Sequence, residues 1–310
     1  VLGAGGLLGR SICRQLAIAD PNSLIYQPTV FWSDENQAKL NLSDAVSKWF
    51  DVTGCDTWEL FWCAGKATPN SSDALASLEQ HYFMHTLEIL GAQIQTKETR
   101  SITIFLASST GGVYGDTSSF IATELSTPAP LGRYGNVKIS METALRGFAE
   151  KSGCRAVIGR LSSLFGSEQN LTKRQGLLSY LAYSLALNQT INIFTSLTTT
   201  RNYLDVDTAS RIILRHMRDK ELASVVTRNI CSPHNTSVAE LITLSRQLSA
   251  KRLLIRLTNA DQINNSRVAT EFPDEVSSLT RSTLAESFAK LLQSTRLNLA
   301  NSAVRHSQIA

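Results

Sequence analysis

The chain has 310 residues, 43% of them hydrophobic, enough to bury one large core or two smaller ones. Thirty basic and 26 acidic residues leave a net charge of +4. With no Lys/Arg run, that balance argues against a nucleic-acid partner. The five cysteines are scattered, without a CxxC or Cys/His cluster, so neither a disulfide framework nor a zinc site is expected. Reduced thiols in a cytoplasmic protein fit this usage.

No secretory leader is visible. The longest apolar run, Gly176 to Leu187, is about a dozen residues, too short to span a bilayer. Only Val1-Leu2 precede a glycine cluster, whereas an ordinary strand has about five or six residues, so the first strand is expected to continue upstream of Val1.

Gly3, Gly6 and Gly9 form G-x-x-G-x-x-G, placed between a strand end and a helix predicted from Arg10 to Ile18. Glycine there lets the backbone turn sharply and approach a pyrophosphate held on the helix N-terminus. The alternative is a plain glycine-rich turn. Gly3, Gly6, Leu7, Leu8 and Gly9 are thus candidate cofactor residues. A second strand is predicted over Ser23 to Gln27 or Thr29 to Trp32, with Pro28 between them. An acidic residue at the end of that strand would bind the ribose 2′-OH of NAD. Asp34 is the better candidate, set against a merely solvated turn residue, and no well-placed Arg offers a 2′-phosphate site. Asn41 to Asp44 are expected to cap a helix running to about Phe50, and Asn41 joins the cofactor candidates.

Glu59 to Gly65 reads as a buried parallel strand, and its small end at Ala64 and Gly65 would let a cofactor lie across it. A helix is predicted over about 72–95. His81 and His85 share a face of it, and without a third ligand they read as helix surface rather than a metal site. Ser101 to Ala107 is the next buried strand, running into Ser108-Ser109-Thr110-Gly111-Gly112-Val113-Tyr114-Gly115. Hydroxyls at the carboxyl end of a parallel strand sit where open α/β sheets bind ligands, unless the segment is only a turn.

Residues 124–130 read as loop. Tyr134 and Lys138 then lie four apart, on one face of a helix predicted to reach about Lys151. An ammonium beside a phenol favours the phenolate, and a tyrosine so placed can move a proton to or from a substrate oxygen. Taken alone, the pair is also what an ordinary helix surface looks like.

Arg155 to Arg160 is a strand whose continuation to Gly166, including Ser163, reaches a cleft. Beyond Gly166 the pattern changes. Residues 170–176, with Asn170, are polar. A helix over about 176–187 and a strand over 191–194 follow, and Arg201 to Asp207 lead into a helix through His216. A strand over 225–231 precedes a helix opened by a capping-box pattern at Ser237 to Glu240. After a polar stretch, a last helix covers about 282–295 and residues 296–310 are expected to fray. Strands alternating with helices predict an α/β fold of Rossmann type, a doubly wound parallel sheet. It would span 1–165, with 203–230 returning to it. Residues 166–202 and 231–295 would form a smaller α/β substrate lobe.

Taken together, these segments resemble the extended short-chain dehydrogenase/reductase family, and within it the nucleotide-sugar epimerases and dehydratases. Gly3-x-x-Gly6-x-x-Gly9 is similar to the family's cofactor loop, and Ser108 to Gly115 to its Ser/Thr strand end. Tyr134 and Lys138 follow at the family's distance, and Arg201-Asn-Tyr-Leu-Asp-Val-Asp207 is similar to its Arg-Asp-Tyr-x-x-Val-Asp segment. The resemblance covers nearly the whole chain. It implies NAD or NADP as cofactor, with NAD the first expectation, and a nucleotide-sugar substrate. By it, Tyr134 would be the general acid/base, Lys138 would bind the nicotinamide ribose, and Thr110 would hydrogen-bond the substrate oxygen. Gly111, Ser163 and Asn170 would line the sugar site. Arg201 would pair with the diphosphate, a job suited to a forked guanidinium, or else form an ion pair with Asp205 or Asp207.

The implied chemistry is hydride exchange between a sugar carbon and the nicotinamide, with Tyr134 moving the paired proton. Family dehydratases usually carry an acidic residue just after the Ser/Thr, where this chain has Gly111 and Gly112. That favours an epimerase acting through a transient keto sugar, with a 4-keto sugar reductase second. The reading from another class is a non-catalytic, cofactor-binding sensor or scaffold. A homodimer is expected, with helices about 72–95 and 136–151 as its faces.

Overall fold

The computed structural model describes residues 1–52, 57–96, 101–169, 176–221, 223–249, 253–258 and 265–307. Its elements run α1 (Leu7–Ala19), α2 (Glu35–Asp51), β1 (Thr57–Trp62), α3 (Asp73–Thr96), β2 (Ser101–Ser109), α4 (Thr110–Tyr114), α5 (Arg133–Ser152) and β3 (Arg155–Leu161). There follow β4 (Ser163–Phe165), α6 (Leu177–Leu187), β5 (Ile191–Ile193), β6 (Thr200–Asp205), α7 (Val206–Arg218) and β7 (Val225–Ile230). The chain closes with β8 (Asn235–Ser237), α8 (Val238–Gln247), β9 (Ile255–Leu257), α9 (Pro273–Leu279) and α10 (Leu284–Ser307). It divides into two compact units, the first made of Val1–Asp116, Thr123–Leu161 and Ser210–Ile230, the second of Thr117–Ala122, Ser162–Ala209 and Cys231–Ala310.

The first unit is built on a parallel sheet in the order β1-β2-β3-β7. Leu2 extends it with a parallel bridge to Trp62, so the glycine loop springs from a strand position beside β1. The apolar runs of β1 to β3 follow from burial on both faces. Trp58, Leu60 and Trp62 point into one core with Ile102, Ile104, Leu106, Ala156 and Ile158, covered by side chains of α2, α3 and α5. Phe61 and Phe105 alternate to the opposite face, with ring centroids 6.2 Å apart. Gly159 is bare because the Phe105 ring occupies its side-chain position, 2.6 Å from an added Cβ.

The second unit holds a sheet of order β4-β6-β8 and a two-stranded pair β5-β9. Its core gathers Phe165, Leu181, Tyr203, Leu241, Phe288 and Leu291 among others. The capping box at Ser237 is present, with Glu240 and Ser237 serving each other's backbone N–H groups.

Three local expectations differ from the structure. Neither 23–27 nor 29–32 forms a ladder strand. The stretch has no regular structure before a turn at Trp32, and the Val1 amino group donates to the Tyr26 carbonyl at 2.7 Å. Pro28 divides it and offers no N–H for pairing. The helix expected from Asn41 starts at Glu35, because the Asp34 side chain caps it by accepting from the Gln37 N–H at 2.9 Å. Residues expected to fray from 296 continue α10 as far as Ser307.

Candidate active site

The loop of Gly3 to Gly9 is held by contacts that only glycine permits. Gly3 has φ +86°, and a Cβ there would lie 2.5 Å from the Ala64 nitrogen. A Cβ on Gly9 would lie 2.3 Å from the Gly3 carbonyl oxygen. Ala64, at the end of β1, therefore stands directly against the glycine loop. Gly6 caps α1 without a side-chain hydrogen bond, Leu8 is buried and Leu7 half-buried beneath the first turn. Gly5 and Gly6 are exposed, and a Cβ on Gly5 would meet open space. One side of the loop is therefore clear, with backbone N–H groups of the first helical turn uncapped by side chains.

At the end of β2, three consecutive hydroxyls do three different jobs. Ser108 is buried and donates to Glu142 Oε1 at 2.5 Å. Ser109 caps α4 by accepting from the Gly112 N–H at 3.2 Å. Thr110 is buried at the start of α4 and donates to the Leu161 carbonyl at 3.1 Å. A hydroxyl that donates in this way keeps lone pairs to accept from another hydroxyl.

Tyr134 and Lys138 rise from α5, and their relation to α4 is fixed by two glycines. An added Cβ on Gly112 would sit 2.7 Å from Tyr134 Cε1, so the phenol ring lies across the bare Gly112 backbone. A Cβ on Gly135 would sit 2.0 Å from the Gly112 carbonyl, so the first turn of α5 packs directly on α4. Lys138 Nζ is 5.6 Å from the Tyr134 ring centroid and donates to the Ala107 carbonyl at 3.4 Å. Gly112→Ala should push the Tyr134 ring off this seat. An ångström-scale displacement of a reacting group costs about 100-fold in rate. That loss in kcat, with the fold retained by circular dichroism, is the expected result.

Sequence reasoning placed no acid in this cluster, and the structure supplies two. Glu79 from α3 is 3.8 Å from Lys138 and accepts from the backbone N–H groups of Lys66 and Ala67. Glu142, one turn beyond Lys138, forms a buried ion pair with Arg160, whose Nη1 donates to the Tyr114 hydroxyl at 2.9 Å. Burial pushes the Tyr114 phenol up, more than Arg160 beside it pulls it down. The signal for Glu79 was an acid within the apolar stripe Ala76, Phe83, Leu87 of its helix, a position that charge occupies only when paired.

The remaining candidates fall elsewhere. Asp34 is the cap of α2, and Asn41 Oδ1 accepts from the Phe31 N–H at 3.2 Å. His85 lies 3.4 Å from Ser43 Oγ, and His81 is 4.0 Å from Glu35. Arg201 and Ser163 belong to the second unit. Arg201 sits on β6 opposite Thr236, and Ser163 is exposed and registers with Tyr203 on β6. Asp205 accepts from the Asp207 and Thr208 N–H groups at the start of α7. Asn170 lies outside the described residues.

A family model described as the NAD dependent epimerase/dehydratase family matches residues 1–231, which hold the glycine loop, the Ser/Thr strand end, Tyr134, Lys138 and the Arg201 segment. The chain belongs to the NAD dependent epimerase/dehydratase family. It is an enzyme of that family. None of the curated proteins matches the sequence.

Solved structures match the fold at low identity. A UDP-glucose 4-epimerase from Thermotoga maritima, with UDP-glucose, is 18% identical at TM-score 0.77, covering 96% of this chain and 98% of its own. A UDP-glucuronic acid 4-epimerase from Bacillus cereus, with UDP-glucuronic acid and NAD, is 16% identical at 0.74, covering 96% and 98%. RMD from Pseudomonas aeruginosa, complexed with NADPH, is 19% identical at 0.77, covering 96% and 97%. Among the described residues of this epimerase/dehydratase family member, no helix is long and apolar enough to cross a membrane. The dinucleotide that the family name implies fits the loop just described. Its open side and uncapped helical turn suit a pyrophosphate, and the Gly9–Gly3 contact gives the close helix–strand packing such a loop needs.

Proposed function

We propose that the chain is a nucleotide-sugar 4-epimerase that uses NAD or NADP. The observation that carries this is the seat of Tyr134 over Gly112. Where an elimination enzyme would need a further acid beside Thr110, this chain has a phenol ring lying on bare backbone. The two nearby carboxylates are engaged, Glu79 with Lys138 and two backbone N–H groups, Glu142 with Arg160 and Ser108. Proton traffic then falls to Tyr134 alone.

In this reading Gly3 to Gly9 would cradle the pyrophosphate, the small residues Ala64 and Gly65 would leave room for the dinucleotide, and Lys138 would hold its nicotinamide ribose. When bound, the dinucleotide supplies reversible hydride acceptance. Tyr134 takes the proton from the sugar 4-hydroxyl and returns it once the keto sugar has turned its other face. Thr110, whose hydroxyl donates to the Leu161 carbonyl, would turn to donate to the sugar oxygen and hold it in line while Tyr134 takes the proton. Arg201 would meet the diphosphate.

The NADPH-bound neighbour favours one second reading, a 4-keto sugar reductase that consumes reduced cofactor. A panel of UDP-, GDP- and dTDP-sugars, incubated with and without added NAD(H) or NADP(H), separates them. Product isomers without net change in cofactor are the expected result. Net oxidation of reduced cofactor would replace the epimerase by the reductase. Formation of a 4-keto-6-deoxy sugar would overturn the argument from Gly112.

A further inference from the structure

We infer that Glu79 is a positioning residue, which ties the Lys138 ammonium to the 65–67 loop and so sets where Lys138 stands for the dinucleotide. This rests on the reading of Lys138 as a cofactor-binding residue.

The geometry that carries it comes from four elements. Glu79 projects from α3 and is 7% exposed, and Lys138 projects from α5 and is 5% exposed. A carboxylate so buried needs both a counter-charge and hydrogen-bond donors. Glu79 divides these between its oxygens. Oε1 accepts from the Lys66 and Ala67 N–H groups, just beyond β1. Oε2 faces Lys138 at 3.8 Å and lies 3.2 Å from where Gly65 would carry a Cβ. A Cβ on Gly65 would crowd both Glu79 oxygens, at 3.2 and 3.3 Å, so the bare residue just beyond β1 leaves this carboxylate its place.

The 3.8 Å separation is longer than a hydrogen bond, so the carboxylate draws the ammonium without using up a donor. An ammonium has three donors, and Ala107 takes one. Two are left for ribose hydroxyls or a neighbouring phenolate. Glu79 therefore does for Lys138 what an outer partner does for a metal ligand. It fixes direction while leaving the working face open. It also links Lys138 to the segment carrying Ala64 and Gly65, so two candidate cofactor-binding segments are set together. Glu142 cannot take over this role, because Arg160 already holds it.

A double-mutant cycle on dinucleotide affinity tests the inference in the full chain, by titrating NAD and NADPH separately and using the tighter ligand. Lys138→Met is expected to weaken binding by about tenfold, and Glu79→Gln by a similar factor. Glutamine keeps an acceptor for the loop and removes only the charge. Because Glu79 acts through Lys138, the double variant should bind no more than about twofold worse than Lys138→Met alone. Multiplying losses, about 100-fold in the double variant, would make Glu79 a loop support independent of Lys138 and overturn the inference. Lys138→Met with parental affinity would instead remove the reading of Lys138, and the inference with it. If Glu79→Gln does not fold, Glu79→Asp, which withdraws the same charge by one methylene, completes the cycle with the same criteria.

Discussion

Tyr134→Phe is expected to lower kcat by about 100- to 10,000-fold while dinucleotide affinity and folding stay at parental levels. The reason lies in what the substitution leaves alone. The phenyl ring keeps its place across Gly112, where it meets the bare backbone, and Gly135 still closes against the Gly112 carbonyl. Only the hydroxyl is lost. If that oxygen takes and returns the substrate proton, its removal strikes the transition state and spares ground-state binding, so kcat and kcat/KM fall together. A loss of that size corresponds to about 3–5 kcal/mol of barrier. Steady-state kinetics on the active nucleotide sugar, with calorimetric titration of the dinucleotide, make the measurement. A variant keeping more than about a tenth of parental kcat would show that Tyr134 is not the proton carrier. Full turnover would leave the chain an enzyme whose Tyr134 only packs.

Much of this was legible because it depends on local chemistry. The glycine spacing, the apolar strands and the Tyr134/Lys138 interval are patterns that backbone sterics and helix geometry write directly into the sequence. The glycines after Thr110 were readable as the absence of an acid. That one of them, Gly112, is the seat of the phenol ring depends on α4 meeting α5, a contact between segments about twenty residues apart. Asp34 shows a different limit. An acid near a strand end suggests ribose recognition, and its carboxylate also caps α2, a use that the same residue type in the same place serves equally well. Glu79 could not be assigned a partner because it comes from a helix 59 positions before Lys138, and its other partners lie on the loop before that helix.

The second large effect lies beneath the site. Arg160→Leu should destabilise the protein by about 3–5 kcal/mol, read as a shift in the urea midpoint at unchanged slope. Arg160 and Glu142 are 5% and 3% exposed, with guanidinium Nη2 2.7 Å and Nε 3.0 Å from the carboxylate. Burial alone would pull the Arg160 pKa down. The hydrogen bonds and charge of Glu142, with Tyr114, outweigh it and hold the guanidinium above its ordinary range. Removing Arg160 leaves the buried Glu142 carboxylate without its counter-charge, with Ser108 still donating to it, and takes a donor from the Tyr114 hydroxyl. The penalty is that uncompensated charge, more than any net strength of the pair. The double variant Arg160→Met/Glu142→Leu should therefore recover most of the lost stability. Recovery of stability need not restore activity. Glu142 sits one turn beyond Lys138, bonded to Ser108 on β2 and Arg160 on β3, so the network holds the Tyr134 helix against the strand that delivers Thr110. A double variant that is stable but still slow would separate the two roles. A single variant that costs less than about 1 kcal/mol, as exposed pairs do, would show that the ion pair is not buried in solution.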